Sequence, residues 1–392
     1  MNKIFNRGQS NEEMLKLLGE NFVRMERQNI YFKKSNVPSR NMETNELKEI
    51  HESPVPEGID FNNPIKENRF IPMLEDLGME CKDITKKRLI QCDEIQNISL
   101  LSLLFDKIEK TQWDKRDRFS EVIESMNLKG DSHHNRILIL KWFMTTYTMA
   151  FNGIDKSINW KYFPRVVLIL HSNQKRFAKT SFLRWILFDG FINGILPKLE
   201  SEVYAELPAR FPSDARERNS YFADCLAVNI DDIDKMIVDK KEEGELKSII
   251  TSKQISSRVM WTPTTSFIRR RANICGSTNN NTLLRDPSEN RYLVFTCLKA
   301  IDFDKFEKEE GFLLQLWSQI RDLSHQYGDD IDYTDDEIDQ IINKAKDYLY
   351  KDQWEIYLEE QFEHTEAGSL KFSEIRNRLL EEGHNVGEKF LS

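Results

Sequence analysis

Four short apolar runs in the middle of the chain predict the strands of a buried sheet. The runs are rich in Val, Ile, Leu and aromatic residues, and they are too short for ordinary helices. Segments with a helical spacing of apolar residues separate them, and this alternation is typical of an α/β core. The predicted strands are 166–170, 225–230, 272–276 and 292–296.

The segments on both sides of this core predict helices, because apolar residues recur there every three or four positions. This spacing is present at 100–108, 137–149, 312–323 and 338–349, and near the start of the chain at Met14, Leu17, Leu18, Phe22 and Met25. Prolines then interrupt regular structure at Pro38, Pro54, Pro56 and Pro64. We therefore expect a helical N-terminal region with a linker (1–95), a helical subdomain (96–160), the α/β core (161–300) and a helical C-terminal region (301–392).

Composition and charge exclude some classes of protein. The 392 residues carry a net charge of −9, and no apolar run approaches the ~20 residues that cross a bilayer. We therefore expect a cytoplasmic protein that does not act at a membrane. Five cysteines without a C-x-x-C pair indicate reduced thiols. Basic residues are concentrated in 161–184 and 253–271, which contain no Asp or Glu, whereas 302–366 is acidic.

The loop after the first predicted strand resembles a phosphate-binding loop that has lost its glycines. In G-x-x-x-x-G-K-[ST], backbone amides and the lysine hold phosphate. Here Asn173 and Ala178 occupy the glycine positions, while Lys179 and Thr180 are kept. A non-glycine residue in the left-handed region costs roughly 1–2 kcal/mol, so we expect weakened nucleotide binding. Alternatively, Lys175 and Arg176 hold phosphate through their side chains.

Acidic and polar residues follow the next two strands. Asp231 and Asp232 follow the run 225–230, where carboxylates hold Mg²⁺ and orient the attacking water in a phosphate-loop ATPase. They could instead cap the following helix together with Asp234. After 272–276 comes a polar segment ending in Asn279, which fits either a γ-phosphate sensor or an ordinary turn.

Several motifs together resemble the virulence-associated E family, which consists of helicase-like ATPases of phages and mobile elements related to superfamily 3 and AAA+ proteins. The resemblance covers about 95–320 and is carried by the segments 112–115, 141–143, 246–253, 269–279 and 284–291. It implies a core sheet of the phosphate-loop, AAA+ type, with ATP and Mg²⁺ as cofactors. The family also usually carries a glycine where Arg176 stands.

The resemblance also implies roles for individual residues. Lys179 and Thr180 would contact phosphate and Mg²⁺, Asp231 and Asp232 would be the Walker B acids, and Asn279 would be sensor 1. Arg291 matches a basic residue that would act as an arginine finger across a subunit boundary in a homo-hexamer. For Arg291 a surface or turn-capping position is the alternative.

The basic segment 253–271 suggests a contact with nucleic acid. Phosphate contacts are expected from Lys253, Arg269, Arg270 and Arg271, although the arginine triplet could also be a solvated strand edge. The aromatic residues Phe177, Trp185 and Trp261 could stack on bases or belong to the core.

Two functions remain open from the sequence. The first is a replication ATPase that acts on single-stranded DNA or a DNA fork together with replication proteins. The second is a catalytically inactive helicase-fold module that binds DNA or a replication partner. The acids and the sensor favour the first, and the altered loop favours the second.

Overall fold

The computed structural model describes most of the chain from residue 100 onwards. The described residues are 100–151, 165–189, 204–258 and 265–349, together with 16–18, 22–25, 30–33, 65–66, 96–98, 374 and 377.

Near the N-terminus the described residues include a small sheet. Its strands are β1 (Phe22–Met25), β2 (Ile30–Lys33), β3 (Ile65–Lys66) and β4 (Gln96–Ile98), in the order β3-β2-β1-β4. The helical spacing predicted helix as far as Met25, and for Phe22–Met25 this prediction was wrong. β1 is held as a strand because it pairs with β2 on one side and with β4, which is distant in sequence, on the other.

The central element of the fold is a five-stranded parallel sheet. Its strands are β5 (Val167–His171), β6 (Tyr204–Leu207), β7 (Ala227–Asp231), β10 (Asn273–Thr278) and β11 (Tyr292–Thr296). Their order is β11-β5-β10-β7-β6. All four predicted strands are confirmed, with shifts of one or two residues at most of their ends. The sequence did not predict β6, nor the antiparallel hairpin of β8 (Gln254–Arg258) and β9 (Thr265–Arg269).

Both faces of the sheet are covered, which explains why its strands are mostly apolar. Successive side chains of a strand point to opposite faces. Val167 and Ile169 accordingly belong to one hydrophobic cluster, and Leu168 and Leu170 to the other. The fold is therefore an α/β sandwich with helices on both sides of a parallel sheet, as predicted.

Four of the described helices were expected from the apolar periodicity, namely those that overlap 100–108, 137–149, 312–323 and 338–349. Before the sheet come α1 (Leu100–Lys110), α2 (Arg118–Ser125) and α3 (Ser132–Phe151). Within the core are α4 (Lys179–Arg184), which continues as a π-helix over Trp185–Asp189, α5 (Ala215–Asp224), α6 (Ile233–Val238) and α7 (Lys240–Thr251). After the sheet come α8 (Asp304–Glu307), α9 (Phe312–Tyr327), a 3₁₀-helix (Gly328–Ile331) and α10 (Asp335–Lys346).

The helices after the sheet share a core with the segment that follows the loop after β5. Trp185 stacks on Phe303 and Phe306, with ring centroids 5.3 and 6.0 Å apart. The indole Nε1 of Trp317 on α9 donates to the carbonyl oxygen of Ile186 in the π-helix, 3.0 Å away. Trp185 is 4% exposed, so it belongs to the core and is not available for stacking on bases.

Gly276 allows α6 to approach β10 closely. A Cβ atom on Gly276 would lie 2.9 Å from both the carbonyl oxygen of Ile230 and Cδ1 of Ile233. These distances are far below ordinary contact, so a side chain here would push α6 away from the strand. The start of α6 is thereby held against the end of β10.

Among the described helices none combines the length and the apolar character needed to cross a membrane.

Candidate nucleotide-binding site

Three neighbouring strands bring the predicted residues to one edge of the sheet. β10 lies between β5 and β7, and all three run in the same direction, so their carboxyl ends meet. Ser277 is in register with Asp231 on one side and with Leu170 on the other. The loop after β5, the acids after β7 and the polar residues at the end of β10 therefore lie together.

Lys179 is the central residue of this cluster. Its ammonium group is buried, and Nζ donates hydrogen bonds to Ser172 Oγ at 2.6 Å and to Asn279 Oδ1 at 2.8 Å. Burial lowers the pKa of Lys179, while Cys297 and the carboxylates of Asp231 and Asp232 act in the opposite direction. The structure thus places the predicted phosphate lysine and the predicted sensor in direct contact.

Thr180, Asp231 and Ser277 form a second group beside the lysine. Thr180 Oγ1 lies 2.9 Å from Ser277 Oγ and donates to Asp231 Oδ1 at 3.3 Å. Ser277 Oγ donates to the same carboxylate oxygen at 2.7 Å. Hydroxyl and carboxylate oxygens are the ligands that Mg²⁺ prefers, and Mg²⁺ usually takes one or two carboxylates with water completing its shell. Thr180 and Asp231, the two residues predicted to hold the metal, lie within hydrogen-bond distance of each other.

Asp231 and Asp232 have different surroundings. Asp232 has left-handed backbone angles, with φ of 50°, and its carboxylate pairs with Lys235 on the surface of α6. Although it is the N-cap residue that directly precedes α6, its side chain makes no capping hydrogen bond. Asp231 instead faces Thr180 and Ser277. The side chains of these two acids therefore do not cap the next helix, which was the alternative.

The loop after β5 adopts the left-handed conformations that glycines would supply. Arg176 has φ of 69° and Ala178 has φ of 57°, whereas Asn173 is not among the described residues with positive φ. Each strained position costs roughly 1–2 kcal/mol. This strain at Arg176 and Ala178 reduces the stability of the fold. The expectation of weakened nucleotide binding stays a prediction.

Arg176→Gly is expected to raise the free energy of unfolding by roughly 1 kcal/mol, because glycine adopts φ near 70° without strain. The arginine side chain is exposed, so little packing is lost. Urea unfolding of the variant and the wild type would measure the difference. Ala178→Gly is a useful comparison: its methyl group packs against the hydrophobic core, so strain relief and lost packing should largely cancel. A destabilised Arg176→Gly variant would contradict this account of the loop.

His171, Ser172 and Ser277 were missed as site residues. His171 is buried at the end of β5, and its Nδ1 lies 3.1 Å from Thr296 Oγ1, which in turn bonds to the hydroxyl of Tyr348. Burial lowers the pKa of His171 to about 4, and the charge of Lys179 acts in the same direction, so the ring is neutral at pH 7. The useful signal in the sequence was position, because His171 and Ser172 follow the predicted strand 166–170, and Ser277 follows the predicted strand 272–276.

Arg291 lies at the opposite edge of the sheet. It precedes β11, and its backbone carbonyl accepts from Val167 at the start of β5. Its guanidinium is partly exposed and pairs with the buried Glu289 at 3.0 Å, and Glu289 also pairs with Lys247 at 2.9 Å. Within one chain Arg291 therefore does not meet Lys179. A role as an arginine finger toward a neighbouring subunit stays a prediction.

The basic residues near β8 and β9 do not share one environment. Arg270 is 1% exposed, and its guanidinium donates to the carbonyl oxygens of Ile250, Ser252 and Ala272. It secures the end of α7, which corrects its prediction as a nucleic-acid contact. Lys253 is exposed, and Arg269 and Arg271 are half-buried. For these three residues a contact with nucleic acid stays a prediction.

The aromatic residues considered for base stacking have separate outcomes. Phe177 is half-buried and packs against the hydrophobic core. Trp185 is buried in that core. Trp261 lies outside the described residues.

A parallel sheet with lysine, hydroxyl and carboxylate groups gathered at its carboxyl edge defines a core of the phosphate-loop type. The chain belongs to the virulence-associated protein E-like domain family, whose model matches residues 108–351. None of the curated proteins matches the chain.

Among solved structures the chain is similar to the C-terminal region of NrS-1. An apo structure of its A form has a TM-score of 0.34 and 14% identity, covering 66% of this chain and 54% of that one. Another apo structure of the region has a TM-score of 0.32 and 13% identity, with coverages of 66% and 55%. This chain thus spans little more than half the length of these structures.

Proposed function

We propose that the protein binds Mg-ATP at the carboxyl edge of its parallel sheet and serves as a helicase-like ATPase in phage or mobile-element DNA replication. The observation that carries this proposal is the pair of hydrogen bonds from Lys179 Nζ to Ser172 and Asn279. A buried ammonium group with a lowered pKa, beside a left-handed loop and an acidic strand end, suits a phosphate anion.

The residues at this edge fit the cofactor. Lys179 would hold phosphate oxygens, and Thr180 with Asp231 would hold Mg²⁺, which supplies a counter-charge to the phosphates when bound. Asn279, which now accepts from Lys179, would turn its amide toward the γ-phosphate. Asp232 stands next to this group and would orient water. Arg291 of one subunit would complete the site of the next in a homo-hexamer.

The basic hairpin region would supply the contact with single-stranded DNA. Lys253, Arg269 and Arg271 stand in a segment without Asp or Glu, and β8 and β9 form a separate ribbon next to the sheet. Contacts of lysine and arginine with backbone phosphates do not depend on the base sequence.

A second candidate is supported by the same loop. Lys179 is already satisfied by two protein oxygens, and two non-glycine residues hold the left-handed positions. A chain that kept this arrangement for stability would bind DNA or a replication partner without hydrolysing ATP.

Calorimetric titration of the full chain with Mg-ATP distinguishes the two candidates. The proposed ATPase gives saturable heat with a dissociation constant in the micromolar to millimolar range and releases phosphate. Heat without phosphate release supports a nucleotide-binding module, and no heat at high protein concentration rejects nucleotide binding.

DNA binding is tested separately with a labelled single-stranded oligonucleotide at increasing salt. If Lys253, Arg269 and Arg271 contact phosphates, the logarithm of the affinity falls linearly with the logarithm of the salt concentration. Replacing one of these residues should reduce the slope by about 0.7. An unchanged slope in all three variants would reject this interface.

A further inference from the structure

Asp234 lies in the first turn of α6 and is turned toward the end of β10. Its side chain is buried, and Oδ1 accepts a hydrogen bond from Thr278 Oγ1 at 2.6 Å. Its other oxygen, Oδ2, accepts from Asn280 Nδ2 at 3.4 Å. Thr278 and Asn280 are the two neighbours of Asn279 along the chain. One buried carboxylate therefore holds the side chains of the residues on both sides of the predicted sensor.

Further hydrogen bonds close this network. The hydroxyl of Thr278 donates to Asp234 and also accepts from the backbone N–H of Asn280 at 3.0 Å. Asn280 Oδ1 in turn accepts from the backbone N–H and the hydroxyl of Thr282, at 3.0 and 2.9 Å. These hydrogen bonds orient the segment 278–282.

The close approach at Gly276 makes this contact possible. Gly276 and Thr278 are two residues apart on β10 and so point to the same face of the sheet. The missing side chain at Gly276 lets Ile233 pack onto that face, and Ile233 directly precedes Asp234. Ser277 points to the opposite face, where it donates to Asp231. The two acids thus hold successive residues of β10 from opposite sides.

We infer that Asp234 is a positioning residue that fixes the carboxamide of Asn279 for its contact with Lys179 and with the γ-phosphate of ATP. This inference rests on the proposed function, because it takes Asn279 as the group that senses the γ-phosphate. Asp234 itself touches neither Lys179 nor the loop after β5 in any described contact. It acts through the segment 278–280, and its effect is therefore on the discrimination between ATP and ADP.

The test compares the affinities of the full chain for Mg-ATP and Mg-ADP in the wild type, Asp234→Ala and Asp234→Asn. The wild type is expected to prefer ATP by roughly tenfold, the contribution of one hydrogen bond to a charged oxygen. Asp234→Ala should bring the ratio close to one. Asp234→Asn keeps an acceptor for Thr278 and should give an intermediate ratio.

Asp239→Ala is the matched control. Asp239 caps α7 by accepting from the backbone N–H groups of Lys241 and Glu242, so its loss also removes two local hydrogen bonds from a carboxylate. It lies outside the nucleotide site, and its ATP to ADP ratio should equal that of the wild type. A second readout needs no nucleotide: amide hydrogen exchange in 279–282 should be faster in Asp234→Ala and unchanged in Asp239→Ala.

The outcomes separate the inference from the proposed function. If the wild type binds neither nucleotide, the proposed function is overturned and the inference with it. If the wild type binds both nucleotides equally well, or if Asp234→Ala keeps the ATP preference, the inference alone is overturned. A ratio that falls equally in Asp239→Ala also rejects it, because the effect would then follow from lost stability.

Discussion

A Lys179→Met variant is expected to lose roughly a hundredfold or more in affinity for Mg-ATP. Methionine keeps the length of the side chain but removes the ammonium group, whose hydrogen bonds to phosphate are each worth about 1.5–3 kcal/mol. Calorimetric titration or displacement of a fluorescent nucleotide would measure the loss. Retained affinity would show that the nucleotide, if any binds, does not use this lysine.

The stability of Lys179→Met is expected to differ from that of the wild type in its dependence on pH. Because burial lowers the pKa of Lys179 in the folded chain, protonation favours the unfolded state. The wild type should therefore gain stability as the pH rises toward ~10.4, where the unfolded lysine loses its proton, and the variant should lack this gain. Denaturant unfolding of both proteins over this pH range would measure the difference.

Lys344→Met provides the control for both measurements. Lys344 is also a lysine whose pKa is lowered by burial, and its Nζ donates to Asn135 Oδ1 at 2.8 Å, much as Lys179 donates to Asn279. It lies on α10, outside the site. Its replacement should likewise remove a pH-dependent gain in stability and leave Mg-ATP affinity unchanged.

Arg270→Met is expected to lower the free energy of unfolding by roughly 3 kcal/mol or more. The guanidinium is the donor to three carbonyl oxygens, two of them at the end of α7, and each buried acceptor left without a donor costs about 1–3 kcal/mol. Urea unfolding would measure the change. The salt dependence of DNA binding should be unaffected in the variant that remains folded.

Lys253→Met should show the reverse pattern. Lys253 lies next to the same hairpin but is exposed, so its replacement should leave the unfolding curve in place and weaken binding of single-stranded DNA. A stable Arg270→Met variant with weakened DNA binding would contradict the assignment of Arg270 as a structural residue.

The parts of the fold that could be predicted are those in which the apolar pattern of a short segment matches the burial of that segment in the folded chain. The strands β5, β7, β10 and β11 are buried on both faces, so each contains a short, mostly apolar run that can be recognised without knowing its neighbours. Lys179, Asp231 and Asn279 could be predicted as site residues because each follows such a run, and parallel strands bring their carboxyl ends together.

What could not be predicted depends on pairing between distant segments. Phe22–Met25 has helical spacing and becomes a strand through partners on both sides. Arg270 looks like its neighbours in the sequence, and its burial follows from where α7 ends. Asp234 resembles a helix cap, and its contact with Thr278 follows from the close approach that Gly276 permits.

The aromatic stack around Trp185 also bears on where the chain can be divided. Phe303, Phe306 and Phe312 all lie after the predicted boundary at residue 300, yet they cover the indole that follows the phosphate loop. A chain truncated at that boundary would leave a bare aromatic surface beside the candidate nucleotide-binding site. Such a fragment should aggregate when it is expressed.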